Sequence, residues 1–472
     1  MTDLDRREFV RRSLTVASGI ALAPSLAGLV SCSRGSLPVN GARRFARFES
    51  YGELVPSADS PELLIPPGFR CIRLSRSQQP LSGGGGMVPN AFDGMATFRL
   101  PNGNVRLIRN HEMADTAANS VPIGRPERSY DVVAGGGTTS LEVHIRDDGV
   151  PELVNEFVSL SGTHINCAGG PTPWQSWITC EETVEGELHG RTKAHGYCFE
   201  VPASATSEVD PVPLKAMGRF VHEAIAVDPA TGIVYLTEDG RYTAGSPDVA
   251  PGAGFYRFIP DRPGDLAAGG RLQILGVRGW PRYNTVTGQR PWARIPAIWI
   301  DIKDPDPAAA ERDPYAVVRA GQAAGAAIFQ RLEGCFYGDN GIYFDATEGG
   351  DAGVGQVWQY RSTGRDTGQL TLIFESPSRD VLDSPDNICT TPRGGLVICE
   401  DGSGEQFLRG LTRDGRIFDL ARTVSPATEF CGVCFSPDYN VLFFNQQGSR
   451  LSRGRTPGTT YALFGRWIEG AV

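Results

Sequence analysis

Acidic residues in this chain recur at comparable places. The runs His111-Glu112, Glu181-Glu182, Glu238-Asp239 and Glu400-Asp401 close short apolar stretches, while Asp93, Cys167, Glu223, Glu333, Asp386 and Glu429 open others. Any one of these acids alone reads as a solvated turn residue, and Cys167 alone as a buried apolar cysteine. Brought to one place they cannot stand unaided. Two carboxylates 4 Å apart repel by about 4 kcal/mol at an effective dielectric of ~20, and each neighbour adds to that. Protonation relieves one or two such groups. For five or more the ordinary remedy is a hard cation with oxygen ligands, of which Ca²⁺ takes six to eight. A thiolate at Cys167 adds a softer donor and favours a transition ion such as iron beside the calcium. Arg331, two residues before Glu333, offers a planar fork suited to phosphate.

These residues need elements that bring them together, and the chain supplies a repeated one. Segments 93–112, 164–182, 222–239, 333–349, 386–402 and 429–448 share a plan. Each has a polar opening, a short strand, a turn of Pro, Gly, Asp or Asn, and an apolar strand that usually ends in acids. Turns such as Pro101-Asn102-Gly103 and Pro392-Arg393-Gly394 provide the backbone angles that hairpins demand. Runs 138–145, 254–259 and 354–360 supply outer strands. The fold expected is all-β, a six-bladed β-propeller with loop and helical insertions over residues 67–472. In a propeller the inner strands all run the same way along one axis, so equivalent positions converge there. Runs 69–75 and 460–468 are placed to pair and close the ring. The widest gap between repeats holds an insertion around 260–330, with a helix expected over 314–330.

The formal net charge of −9 and the lack of a basic block beyond the first dozen residues argue against nucleic acid or anionic lipid as a partner. Residues 1–32 read as a twin-arginine signal peptide. Arg6-Arg7-Glu8-Phe9-Val10 precedes an apolar run from Leu14 to Val30, short for a membrane span. The partner implied is the twin-arginine export machinery, and the destination is the periplasm, the cell surface or the medium. Leu29-Val30-Ser31-Cys32 resembles a lipobox, which would anchor the chain by lipid on Cys32. Residues 33–66 are expected to be a linker. Nine cysteines follow Cys32, an odd number, so at least one stays unpaired. Cys431-Gly-Val-Cys434 lies in a strand-like run without a second such pair and reads as core.

The same segments resemble the PhoX-type alkaline phosphatases, exported propellers with a mixed iron and calcium centre. The resemblance lies in Asn110-His111-Glu112, in Asn166-Cys167-Ala168-Gly169-Gly170 with Thr179-Cys180-Glu181-Glu182, in His222-Glu223-Ala224, in Glu238-Asp239, in Arg331-Leu332-Glu333 and in Pro385-Asp386-Asn387. It implies Cys167, Glu223, Glu333 and Asp386 as iron (Fe³⁺) ligands. It further implies Glu112, Glu181, Glu182, Glu238 and Glu400 as calcium ligands, and Asn166 and Arg331 as contacts to the phosphate of a small-molecule ester. A monomer is expected. The last repeat departs from the family, ending Asn445-Gln446-Gln447-Gly448 where the family shows an Asn-x-Gln-His-Pro-Gly run. The residues alone also admit a calcium propeller hydrolase of another class (lactonase, phosphodiesterase or phytase-like) or a non-catalytic ligand-binding propeller.

Overall fold

The computed structural model describes residues 50–339 and 341–467; the signal segment and Cys32 lie outside them. Apolar and β-branched runs punctuated by tight turns fold into antiparallel hairpins. Their first strands are Phe92–Arg99, Asn166–Pro171, His222–Val227, Leu332–Gly338, Pro385–Thr390 and Phe430–Phe435. Each of these six strands packs against the next, and the sixth packs against the first. The ring is closed, and the chain is a β-propeller with six inner strands around one axis.

The blades are not equal. Among the described residues the hydrogen-bonded sheets number five, because Arg294–Asp301 pairs with Gly270–Val277 on one side and Thr367–Glu375 on the other, fusing the third and fourth blades into one nine-stranded sheet. The second blade has only three strands. The fifth is extended by Leu63–Ile65 and Val55–Pro56, so part of the segment expected to be a linker is built into the propeller. Closure joins the chain's two ends: Thr459–Phe464 pairs with Arg70–Arg76, Phe464 opposite Arg70. The helix in the insertion covers only Ala316–Ala323, shorter than expected. Gly325 follows at φ +104, a left-handed turn that ends the helix. Its Val317 and Val318 pack with Leu272 and Ile274 of the third blade.

The six hairpins share one register where they face the axis. Phe92 pairs with His111, Asn166 with Glu181, His222 with Glu238, Leu332 with Ala346, Pro385 with Glu400 and Phe430 with Gln446. In the first five blades the inner strand slips register immediately afterwards, whereas in the sixth Cys431 still pairs with Asn445 and the slip follows it; each slip is a β-bulge that bends the strand and re-aims a side chain. A second bond locks each hairpin mouth. The N–H just past the second strand donates to the carbonyl just before the first: Glu112 to Ala91 (2.8 Å), Glu182 to Ile165 (2.8 Å), Asp239 to Val221 (3.1 Å), Thr347 to Arg331 (2.9 Å), Asp401 to Ser384 (2.9 Å) and Gln447 to Glu429 (3.2 Å). Four of the accepting residues, Ala91, Ile165, Arg331 and Ser384, have φ between +43 and +54. That conformation is costly for a non-glycine residue and most so for a β-branched one such as Ile165.

Counted from the hairpin mouth, Asp93, Cys167, Glu223, Glu333, Asp386 and Cys431 are equivalent, the first five in the bulge and Cys431 still in the ladder opposite Asn445. The residue after each is small in five blades: Gly94, Ala168, Ala224, Gly334 and Gly432. Neighbouring strands pass too closely for more. A Cβ on Gly334 would lie 2.3 Å from the carbonyl oxygen of Asp386. Side chains brace adjacent blades: Asn110 Nδ2 donates to the Cys167 carbonyl (3.0 Å) and Asn445 Nδ2 to that of Asp93 (2.7 Å). Gly334→Ala should therefore destabilise the propeller by about 1–3 kcal/mol through overpacking, read as a lower urea midpoint at unchanged slope.

Candidate metal centre

The bulged positions and the residues just past the second strands meet at the axis. Ligand atoms of Asp93, Glu112 and Cys167 lie within 4.8 Å of one another; so do those of Cys167, Glu182 and Glu223, of Glu223, Asp239 and Glu333, and of Asp93, Glu429 and Cys431. Shared members link these triads into one cluster of seven carboxylates and two thiols. The Cys167 thiol donates to Glu223 Oε2 at 3.1 Å. Asp386 adjoins this group and interacts electrostatically with Asp93 and Asp401.

Burial dominates the electrostatics. Loss of water, followed by the charge of neighbouring acids, lifts Asp93 to about 8 and holds Glu112, Glu182, Glu223, Glu333, Asp386 and Glu429 above the ordinary carboxylate range. Cys167 is pushed up for the same reasons. Asp93 Oδ1 and Glu223 Oε1 are buried with no hydrogen-bond partner, and buried acceptors are rarely left so. Oxygen-rich donors with orphaned lone pairs and a thiol are what hard cations beside a transition ion require. The residues fit a metal centre.

Two guanidiniums flank the cluster. Arg331 forks onto Asp239 (2.9 and 3.1 Å), reaches Glu333 Oε1 at 2.9 Å and lies 3.6 Å from Glu348. Burial works against its charge, but Glu333 and Asp239 hold it firmly protonated. Arg450, on the loop after the last hairpin, pairs with Glu112 and lies 3.5 Å from Glu182. Its side chain is 45% exposed and that of Arg331 23%, so both reach solvent at the mouth.

Of the residues expected from sequence, Glu112, Cys167, Glu182, Glu223, Glu333 and Arg331 meet here, with Asp386 beside them. Four do not. Glu181 turns into its blade, where it accepts from His195 Nδ1 (2.7 Å) and from the N–H groups of His164, Gly196 and Tyr197. Burial works to raise Glu181, yet His195 holds it below the usual range, while Glu181 and Asp131 raise His195 to about 9 against its own burial. Glu238 accepts from Tyr256 Oη (2.6 Å) and the Gly254 N–H (2.9 Å). Glu400 accepts from Arg409 Nε (2.6 Å). The reason is common to all three. Successive residues of an extended chain point to opposite sides, so when Glu182, Asp239 and Asp401 leave the strand end the first acid of each pair faces back. Asn166 is likewise spent inside its sheet, accepting from Thr163 Oγ1 (2.6 Å) and donating to Thr179 Oγ1 (2.9 Å). His111 and His222 are structural as well, their ring nitrogens engaged by Asn90 and Thr139 and by Gly218. Sequence reasoning missed Asp239 as the facing member of its pair, Cys431 as an axial residue, and Arg450, which no repeat signals.

A closed ring of blades around a buried centre of acids, thiols and guanidiniums defines a propeller enzyme of the metal-dependent kind. The chain belongs to the alkaline phosphatase PhoX family, whose profile matches residues 49–449, and it is a phosphatase of that class. Among solved structures, PhoX from Pseudomonas fluorescens in complex with vanadate, a transition state analogue, is 19% identical; the match covers 91% of this chain and 99% of that one, with a TM-score of 0.66. XC5397 from Xanthomonas campestris, a gluconolactonase, is 12% identical over 88% of this chain and 97% of that one, and its TM-score of 0.43 is too low to bear on this chain. A comparison with curated proteins finds no match.

Glu181→Gln should cost about 1–3 kcal/mol by leaving the buried His195 charge with Asp131 as its one remaining acid yet leave bound metal unchanged, whereas Asp239→Asn should lower metal content; thermal unfolding and elemental analysis of both variants separate the two roles. The pH dependence has a definite sign. Asp93 rises from an ordinary 3.8 to about 8 in the folded metal-free chain, so folding binds a proton more tightly. The stability this gives is complete below pH ~4 and is lost as pH climbs to ~8. Chelated protein should therefore melt at progressively lower temperature from pH 4 to 8, and added metal should flatten that slope.

Proposed function

We propose that the chain is an exported phosphomonoesterase whose axial centre holds iron through Cys167, Glu223, Glu333 and Asp386, and calcium through Glu112, Glu182 and the adjoining Asp239. The single observation that carries this reading is the linked set of buried carboxylates and Cys167 lying between two guanidiniums. Export rests on the twin-arginine segment at residues 1–32, whose closing Leu29-Val30-Ser31-Cys32 resembles a lipobox that would anchor the chain by lipid on Cys32.

When bound, the ions supply Lewis-acid stabilisation of phosphoryl charge and an activated nucleophile. The chain's own groups do the rest. Arg331, fixed by Asp239 and Glu333, presents its remaining N–H edge to phosphoryl oxygens and strengthens its hold as their charge grows. Arg450 offers a second cation from the last blade, opposite in sequence and adjacent to Glu112. The blade walls exclude water, which makes each of these contacts worth more than in bulk solvent. The sequence carries neither a serine nucleophile elbow nor a P-loop, so neither of those mechanisms competes with this one.

The test is elemental analysis of protein exported through its own signal, combined with hydrolysis of p-nitrophenyl phosphate before and after chelation. Iron, calcium and chelator-sensitive phosphate release are expected. Iron and calcium without phosphate release would keep the centre and sink the substrate assignment; calcium alone would favour a hydrolase of another class. Arg331→Ala should retain metal and lower kcat/KM by about 10²–10³-fold, the loss typical of one transition-state donor.

A further inference from the structure

Counted from the hairpin mouth, Cys431 takes the sixth place in the ring of Asp93, Cys167, Glu223, Glu333 and Asp386, although its blade bulges one residue later than the others. Its neighbour in the CxxC pattern does not share that place: Cys434 packs into apolar core with Val105, Leu107 and Phe443. Cys431 Sγ lies within 4.8 Å of carboxylate oxygens of Asp93 and Glu429. Asp93 thus has two sides. One faces Glu112 and Cys167, the other Glu429 and Cys431. Gln447 Nε2 donates to Glu112 Oε2 at 2.6 Å and lies 3.5 Å from Asp93 Oδ2, which leaves Asp93 Oδ1, buried and 1% exposed, without any partner. The Cys431 thiol donates to the Phe92 carbonyl at 3.0 Å, a bond that holds the sulfur beside Asp93 and that a thiolate would give up.

We propose that Cys431, Asp93 and Glu429 form a second thiolate-bearing ligand set, taking a first-row transition ion next to the position served by Cys167. The inference rests on the metal-centre reading above. A thiolate excludes calcium or magnesium as the occupant, because those ions prefer oxygen alone. On binding, the thiol loses its proton to solvent as the sulfur–metal bond forms, without change of oxidation state. Asp93 then lies between two sulfur-bearing sites, which accounts for a buried carboxylate that belongs to both triads and keeps Oδ1 without a partner.

Cobalt(II) is the probe. Mature protein stripped by chelation and reloaded with cobalt is examined by X-ray absorption at the cobalt edge as wild type, Cys167→Ser and Cys167→Ser/Cys431→Ser, with Cys431→Ala used where the serine variant does not fold. Cys167→Ser is expected to keep a sulfur neighbour at about 2.3 Å and thiolate-to-cobalt absorption in the near ultraviolet, both lost in the double variant. Cobalt held by oxygen and nitrogen alone in Cys167→Ser would overturn the role of Cys431 and leave the metal centre standing. Sulfur persisting in the double variant would place the ligand elsewhere and overturn it too. Failure of wild-type protein to retain cobalt would overturn the metal-centre reading as well.

Discussion

Mutual repulsion among carboxylates that share a dry space is the constraint to which the rest of this structure answers. Asp93, Glu112, Glu182, Glu223, Asp239, Glu333 and Glu429 are linked through contacts under 4.8 Å, and burial deprives most of them of the water that would screen their charge. Folding the metal-free chain requires that several of them hold protons well above the usual range. The blades tolerate that cost because the stabilising contacts lie elsewhere, in apolar clusters between sheets. The centre is a local expense carried by a large core. A polyvalent cation relieves it, so affinity for metal and stability of the ring are the same free energy viewed from two sides.

The backbone is arranged to keep those groups facing one another. Each hairpin mouth is tied by an N–H to carbonyl bond across its base, and each inner strand bulges just above it, one residue later in the sixth blade than in the other five. Ala91, Ile165, Arg331 and Ser384 hold left-handed backbone at the tie. Strain of that kind persists only where the surroundings over-determine it, and it clusters at functional sites. Here it lies two residues before a ring position in four blades, at Asp93, Cys167, Glu333 and Asp386. Small residues beyond the bulge, Gly334 above all, let the next blade close in. Side-chain braces from Asn110 and Asn445 then fix the carbonyl of the neighbouring ring residue. Position is thus imposed through main chain, which side-chain substitution alone does not easily loosen.

Much of this was legible in the sequence, and the exceptions have a shared cause. The recurrence of turn residues and terminal acids marks six equivalent hairpins, and the closing pair of end strands follows from the runs at 69–75 and 460–468. Glu333 and Cys167 stand out because no second acid competes beside them. Glu181, Glu238 and Glu400 face into their blades, which the sequence does not signal for the opposite reason: in a doublet of acids it does not say which member faces the axis, since that depends on where the ladder ends. The bulges are invisible for the same reason, as an extra unpaired residue leaves no compositional mark. Cys431 is camouflaged by its apolar surroundings in Phe430–Phe435, a run that looks like core because Phe430, Val433, Cys434 and Phe435 are core. The nine-stranded fused sheet escaped notice because Arg294–Asp301 joins blades from within an insertion.

The unevenness of the ring is itself informative. Past the second strands, blades one, two, three and five present Glu112, Glu182, Asp239 and Asp401, whereas blades four and six present Thr347 and Gln447. Those two blades are the ones that carry the guanidiniums. Arg331 opens the fourth, its carbonyl tied to Thr347, and Arg450 follows Gln447 by three residues in the sixth. A cation beside a missing acid raises the local potential twice over, once by its own charge and once by the carboxylate it replaces. The cluster is therefore not uniformly negative: it has two cationic flanks at its solvent-facing mouth and a carboxylate interior suited to metal. A phosphate ester approaching such a mouth meets guanidinium first, and the carboxylates that would repel it are those which cations must occupy. The same asymmetry concentrates the acids in the interior and leaves the two guanidiniums toward solvent.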